Sequence, residues 1–154
     1  MNLFPKNVQI QPSGYIEDPE TEALKIKGSY LFDFVKGEFV KGPDGKILKV
    51  KAVEGYLQWC EKVLRTKRFV HSSYTDLYGE EYYTLIGSDM TKSALELEVK
   101  RMTIEALMVH PFTEKVNRFD FKWDEHKSEL YFSFHAYTVF GEEYTLEALA
   151  EVRR

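Results

Sequence analysis

Four histidines, one cysteine and a few neighbouring carboxylates are the residues of this chain that could carry chemistry. A metal centre needs His, Cys or carboxylate ligands at fixed spacing, such as two histidines one helical turn apart. His71, His110, His126 and His135 do not fall at that spacing, and Cys60 lies on an apolar helical stripe. No zinc site is expected, and Cys60 reads as a buried, inert thiol. His135 reads as a surface or interface imidazole beside Tyr131 and Tyr137. Acid–base hydrolysis needs two carboxylates facing one cleft. Glu80-Glu81 and Glu142-Glu143 are adjacent pairs, and adjacent side chains on a strand face opposite ways. Ser72-Ser73 sit in no nucleophile elbow, and no loop of the Gly-Lys-Ser/Thr type is present to hold phosphate. No catalytic residue, metal or cofactor is therefore expected. Clean protein should not turn over peptidoglycan.

The elements that would position these residues follow from composition and periodicity. The chain has 154 residues, enough for one domain with its own core. Aromatic residues make up 15%, which favours strands and partner surfaces. With 21 basic and 25 acidic residues the net charge is −4, which argues against nucleic acid as a partner. No apolar run approaches the length of a membrane span, and the start lacks the pattern of a signal peptide. The host cytoplasm is the expected place of synthesis.

Residues 1–29 contain Pro5, Pro12, Gly14 and Pro19 and no lasting period, so they read as an extended arm. Leu3, Phe4, Val8 and Ile10 give that arm apolar side chains with which to lie on a neighbour. Residues 30–154 read as one folded domain. Tyr30 to Val35 and Lys46 to Val50 form strands expected to pair as a hairpin, with Gly42-Pro43-Asp44-Gly45 as a turn. A helix from Ala52 to Thr66 carries Val53, Leu57, Cys60 and Leu64 on one face and Glu54, Gln58, Glu61, Lys62 and Arg65 opposite. A short turn at 80–86 ends at Gly87. A long helix from Thr91 to Val109 has two apolar faces, Leu95/Val99/Met102/Ala106/Val109 and Leu97/Ile104/Met108. The second face is expected to be covered by the first helix or by a partner. Phe119, Phe121 and Trp123 alternate with polar residues, as do Leu130, Phe132, Phe134 and Ala136, which predicts an antiparallel hairpin. Tyr144 to Arg154 fits either a strand or a helical turn. Lys62, Arg65, Lys67 and Arg68 form a basic cluster, followed by the acidic Asp76, Glu80, Glu81 and Asp89.

The order of these elements resembles a known family. Phe32-Asp33-Phe34 with Lys36-Gly37, Val53-Glu54-Gly55-Tyr56, Leu64 to Phe69, Tyr74 to Gly79, Leu85-Ile86-Gly87, Lys100-Arg101, Glu105-Ala106-Leu107, Val116 to Phe121 and Leu130 to Gly141 carry the likeness. The span from Tyr30 to about Glu147 is similar to the gene-25-like baseplate wedge proteins, the sheath initiators of contractile phage tails, in their prophage and tailocin branch. That family has a Glu-Pro-Arg motif after its long helix. Here the position reads His110-Pro111-Phe112, and only the proline matches.

The resemblance implies an α+β fold: a small antiparallel sheet with two main helices packed on it, like the C-terminal domain of the tail sheath. It implies a structural baseplate wedge component, joined to tube or hub in a six-fold assembly, that nucleates the sheath by β-strand addition. Its implied partners are other wedge proteins, the sheath and hub or tube proteins, with no nucleic acid and no membrane. Its place after assembly would be the virion or tailocin baseplate. For the sheath contact the expected residues are Tyr131, His135, Tyr137, Tyr144, Thr145 and Leu146. For the wedge contact they are the arm residues above with Leu97, Ile104, Met108, His110, Pro111 and Phe112. The alternative reading is a free-standing cytoplasmic adaptor or anti-adaptor of the same fold. A cell-wall hydrolase is a third.

Overall fold

A computed structural model describes residues 28–124 and 126–152. The expected arm contacts Leu3, Phe4, Val8 and Ile10 lie outside the described residues. Among the described residues the fold is α+β, with two helices and small antiparallel sheets. No helix among the described residues is long and apolar enough to cross a membrane. The chain forms two compact units that meet in sequence at Lys62/Val63, inside one helix.

The first unit, described from residue 28 to 62, is a set of short strands and most of that helix. β1 (Ser29–Tyr30) pairs with β4 (Lys49–Val50), and β2 (Phe32–Asp33) with β3 (Glu38–Phe39), both antiparallel. The simple hairpin expected from the sequence is therefore interrupted. The Gly42–Gly45 turn closes as expected, with Gly45 N donating to Gly42 O at 2.9 Å. It joins β4 to the segment after β3, because Leu48 N donates to Val40 O at 2.9 Å. Asp33 makes the extra reversal: its Oδ1 accepts from Val35 N and Lys36 N at 2.9 and 3.0 Å. Helix α1 (Ala52–Arg65) follows. Gln58 was expected on its solvent side and is buried. Its amide oxygen accepts from Phe32 N and its amide nitrogen donates to Tyr30 O, each at 2.8 Å. That side chain satisfies backbone groups that strands this short leave unpaired. Glu61, expected on the same polar face, is buried too.

The second unit, described from residue 63 to 152, holds a loop, one turn of 3-10 helix (Tyr82–Leu85), helix α2 and a three-stranded sheet. α2 runs Lys92–Met108 and is capped by Thr91, whose side chain accepts from Ala94 N. Strands β5 (Thr113–Asp124), β6 (Glu129–Thr138) and β7 (Glu143–Glu151) form an antiparallel meander in that spatial order. The ambiguous C-terminal segment is thus a strand as far as Glu151. α2 lies on β5. Leu95, Val99, Met102 and Ala106 are buried, as are Leu130, Phe132, Phe134 and Ala136 from β6. Trp123 Nε1 donates to Glu96 Oε1 at 2.7 Å, and Lys100 sits over the Phe119 ring. Tyr82 reaches into this core, where its hydroxyl meets Thr103 Oγ1 at 2.6 Å.

The 67–80 loop is fastened at its neck. Arg68 N donates to Glu80 O and Glu80 N to Thr66 O, both at 2.8 Å. The buried Arg68 guanidinium bridges Glu81 and Glu105, each at 2.8 Å. The basic and acidic clusters read in the sequence are therefore partly joined inside the chain. Burial pushes the Glu80 carboxyl up to about 7, despite Lys67, Arg68 and the Tyr82 N–H it accepts from. The folded state thus holds the Glu80 proton more tightly than the unfolded chain. Its contribution to stability is greatest below the unfolded value near 4.5 and is lost as pH rises through about 7. A Gln keeps an acceptor for the Tyr82 N–H without the charge. Glu80→Gln is expected to stabilise by about 2 kcal/mol at pH 8 and by almost nothing at pH 4, read from urea unfolding. An equal effect at both pH values would refute the charge-burial account.

Candidate functional site

The meander leaves strand margins open, and the ladder geometry says which backbone groups lie there. Thr138 N donates to Glu142 O at 2.9 Å and Val152 N to Ser128 O at 3.1 Å, one bond at each end of the β6–β7 ladder. Bonded pairs alternate with unbonded ones in an antiparallel ladder. The bonded pairs are therefore Ala136 with Tyr144, Phe134 with Leu146, Phe132 with Ala148 and Leu130 with Ala150. The N–H and C=O groups of Glu143, Thr145, Glu147, Leu149 and Glu151 point the other way. Among the described residues no strand pairs with that side of β7.

The opposite margin is different. β5 pairs with β6 through two register shifts, at Thr113/Lys115 and Asn117/Asp120, and Arg118 between the latter has a φ of 52°. Bulges of this kind twist an edge away from further pairing. β7 keeps one register against β6 from Glu143 to Glu151. It is the straight edge of the sheet.

The expected sheath-contact residues distribute unevenly around this edge. Thr145 has its backbone on the margin and its side chain exposed. Leu146 is buried, and its backbone, like that of Tyr144, belongs to the ladder with β6. Both fix the register of β7 from inside. Tyr131, His135 and Tyr137 lie on β6, which has strands on both sides, so their backbones cannot receive another strand. The period-two pattern that placed them on an outer face could not reveal that their strand is central. The His135 ring nitrogen and the Tyr137 hydroxyl instead meet Glu143, which Arg118 also reaches at 3.2 Å. These partners hold the Glu143 carboxyl below its ordinary range, the His135 hydrogen bond foremost.

Among the expected wedge-contact residues, Leu97 is 65% exposed and Met108 is exposed, while Ile104 is half-buried. Leu97 and Met108 thus keep part of the second apolar face of α2 open. Pro111 is exposed and His110 half-buried, its Nδ1 accepting from Phe112 N at 3.1 Å. Burial lowers the His110 pKa. Phe112 is fully buried, edge-on to the Phe140 ring, so it cannot serve as a contact surface. A residue directly after an exposed proline reads as loop, but the turn folds its ring into the core.

Cys60 is buried and its thiol is pushed up to about 12, chiefly by desolvation, which keeps it protonated. Sequence reasoning did not count Phe69, Val70 and Leu77 of the loop after α1 among the contact residues, yet they stand exposed. The positive φ of Phe69, 63°, turns its ring outward at a conformational cost. Nothing in its sequence pattern marked it.

A model of the contractile injection system sheath initiator family matches residues 28–141. That span runs from β1 through β6, and β7 lies beyond it. No curated protein matches the chain.

Proposed function

The chain belongs to the contractile injection system sheath initiator family, a structural family, and on that premise we propose that it seeds the sheath by lending it the β7 edge. The observation that carries this reading is the straight outer margin of β7, five residues of which turn their backbone groups away from β6. A strand laid there satisfies main-chain donors and acceptors, which gives affinity, while flanking side chains give register. The sheath protein is the donor of that strand in this reading. Purified chain added to sheath subunits and tube should shorten the lag before sheath growth. An unchanged lag would count against the proposal.

The Leu97, Ile104 and Met108 face of α2, with Pro111 beside its end, is where the chain would meet other wedge proteins. Its exposure supports this role. Leu97→Asp is accordingly expected to change folding stability by less than about 0.5 kcal/mol, unlike Leu95→Asp, which buries an unpaired charge and costs several kcal/mol. The same Leu97→Asp chain should fail to enter baseplates, scored by its presence in purified particles. Normal incorporation would remove this face from the wedge contact.

A further inference from the structure

Charge defines which strand can complete the β7 edge. On the outer face of the sheet, Asp124 of β5, Glu129 of β6 and Glu151 of β7 stand directly opposite one another. Further along, Asp120, Ser133 and Glu147 form a second such row, with Lys122, Tyr131 and Leu149 between. Like charges directly opposite across strands are unfavourable. Asp124 is occupied in its turn, where it accepts from His126 N and Lys127 N, and Glu129 accepts from the Tyr131 hydroxyl. Glu143 is matched by Arg118, His135 and Tyr137. Glu147 and Glu151 have no hydrogen bond or ion pair among the described residues. They sit on β7, whose backbone is also unpaired on its outer side among the described residues.

We propose that the strand received by β7 is cationic on one face, with Lys or Arg opposite Glu147 and Glu151 and an aliphatic residue opposite Leu149. The inference rests on the strand-addition reading above and adds the chemistry of the incoming segment. Residues of that segment between these positions continue the inner face of Leu146, Ala148 and Ala150 and are apolar. The occupant is thus a sheath strand of the pattern basic–apolar–apolar–apolar–basic. The same two carboxylates keep neutral and acidic strands off the open edge, so attraction and exclusion come from one feature.

The test uses the full chain and two synthetic peptides as long as β7 (9 residues), alike except for Lys or Glu at the two outward positions. Fluorescence anisotropy at low salt should show the Lys peptide binding ~10-fold or more tightly than the Glu peptide, with the difference shrinking as salt rises. The preference should reverse in the Glu147→Lys, Glu151→Lys double variant. It should disappear in Glu147→Gln, Glu151→Gln, which preserves size and fold if the reversal does not. Both peptides should fail to bind Thr145→Pro. Equal binding of the two peptides to the natural chain would overturn the charge inference and leave strand addition standing. Binding of neither peptide, or binding untouched by Thr145→Pro, would overturn both.

Discussion

Thr145→Pro is expected to leave the chain folded and to abolish sheath seeding. Proline removes one backbone N–H and fixes φ near the extended region. In a central strand this breaks the ladder, and in an edge strand it is tolerated when the missing N–H faces outward. The Thr145 N–H faces outward, because the bonded pairs with β6 are those of Tyr144 and Leu146 on either side. Circular dichroism and the urea midpoint should therefore stay close to those of the natural chain. The margin, however, loses a donor at its middle and gains a ring where an incoming backbone must lie. Leu146→Pro is the contrasting variant. It deletes a ladder bond and a buried side chain, and should unfold the sheet. Full-length sheaths on particles carrying Thr145→Pro would exclude β7 as the docking strand.

Gly79→Ala is expected to be the most damaging small substitution in the loop. Gly79 has a φ of +112°, a region that residues with a Cβ avoid. An added Cβ would lie 2.6 Å from Thr66 O and 2.8 Å from Arg68 N, both backbone atoms of the neck. Relief requires opening the two bonds between Glu80 and this segment. The Arg68 guanidinium would then leave Glu81 and Glu105 or follow them. A cost of about 3 kcal/mol is expected, or roughly 10 °C in Tm. Gly87→Ala is the control. Gly87 also has positive φ, +77°, but nothing within 4 Å of the added carbon, so only about 1 kcal/mol is at stake. Equal losses in the two variants would mean that backbone conformation, and not the crowded neck, sets the cost at Gly79.

Much of the fold is written in local periodicity. α2 and the inward residues of β6 stand where period 3.6 and period 2 place them, since each buries one continuous apolar face. What periodicity could not convey was pairing. Tyr144, Leu146, Ala148, Ala150 and Val152 alternate as a strand must, yet Leu146, Leu149 and Val152 also satisfy a helix, and only the ladder with β6 separates the two. Gln58 looked like a solvent residue because its polarity was read without the short strands whose backbone it satisfies. Phe112 looked like a contact because its burial depends on Phe140, far along the chain. The edge itself is a relation among three strands. No single stretch of sequence contains it, which is why Tyr131, His135 and Tyr137 were grouped with Thr145 although their strand is enclosed.

A sheet with two equally good margins would be a repeating unit, able to stack copies of itself end to end. The register shifts and the left-handed Arg118 in β5 remove that symmetry. In the strand-addition role proposed above, one margin is the template and the other is a stop. Each copy of the chain would then prime a single strand, and the number of growing sheath threads would equal the number of copies fixed in the platform. On that proposal growth would have a direction from its first step, set by a kink on the side of the sheet where nothing is added.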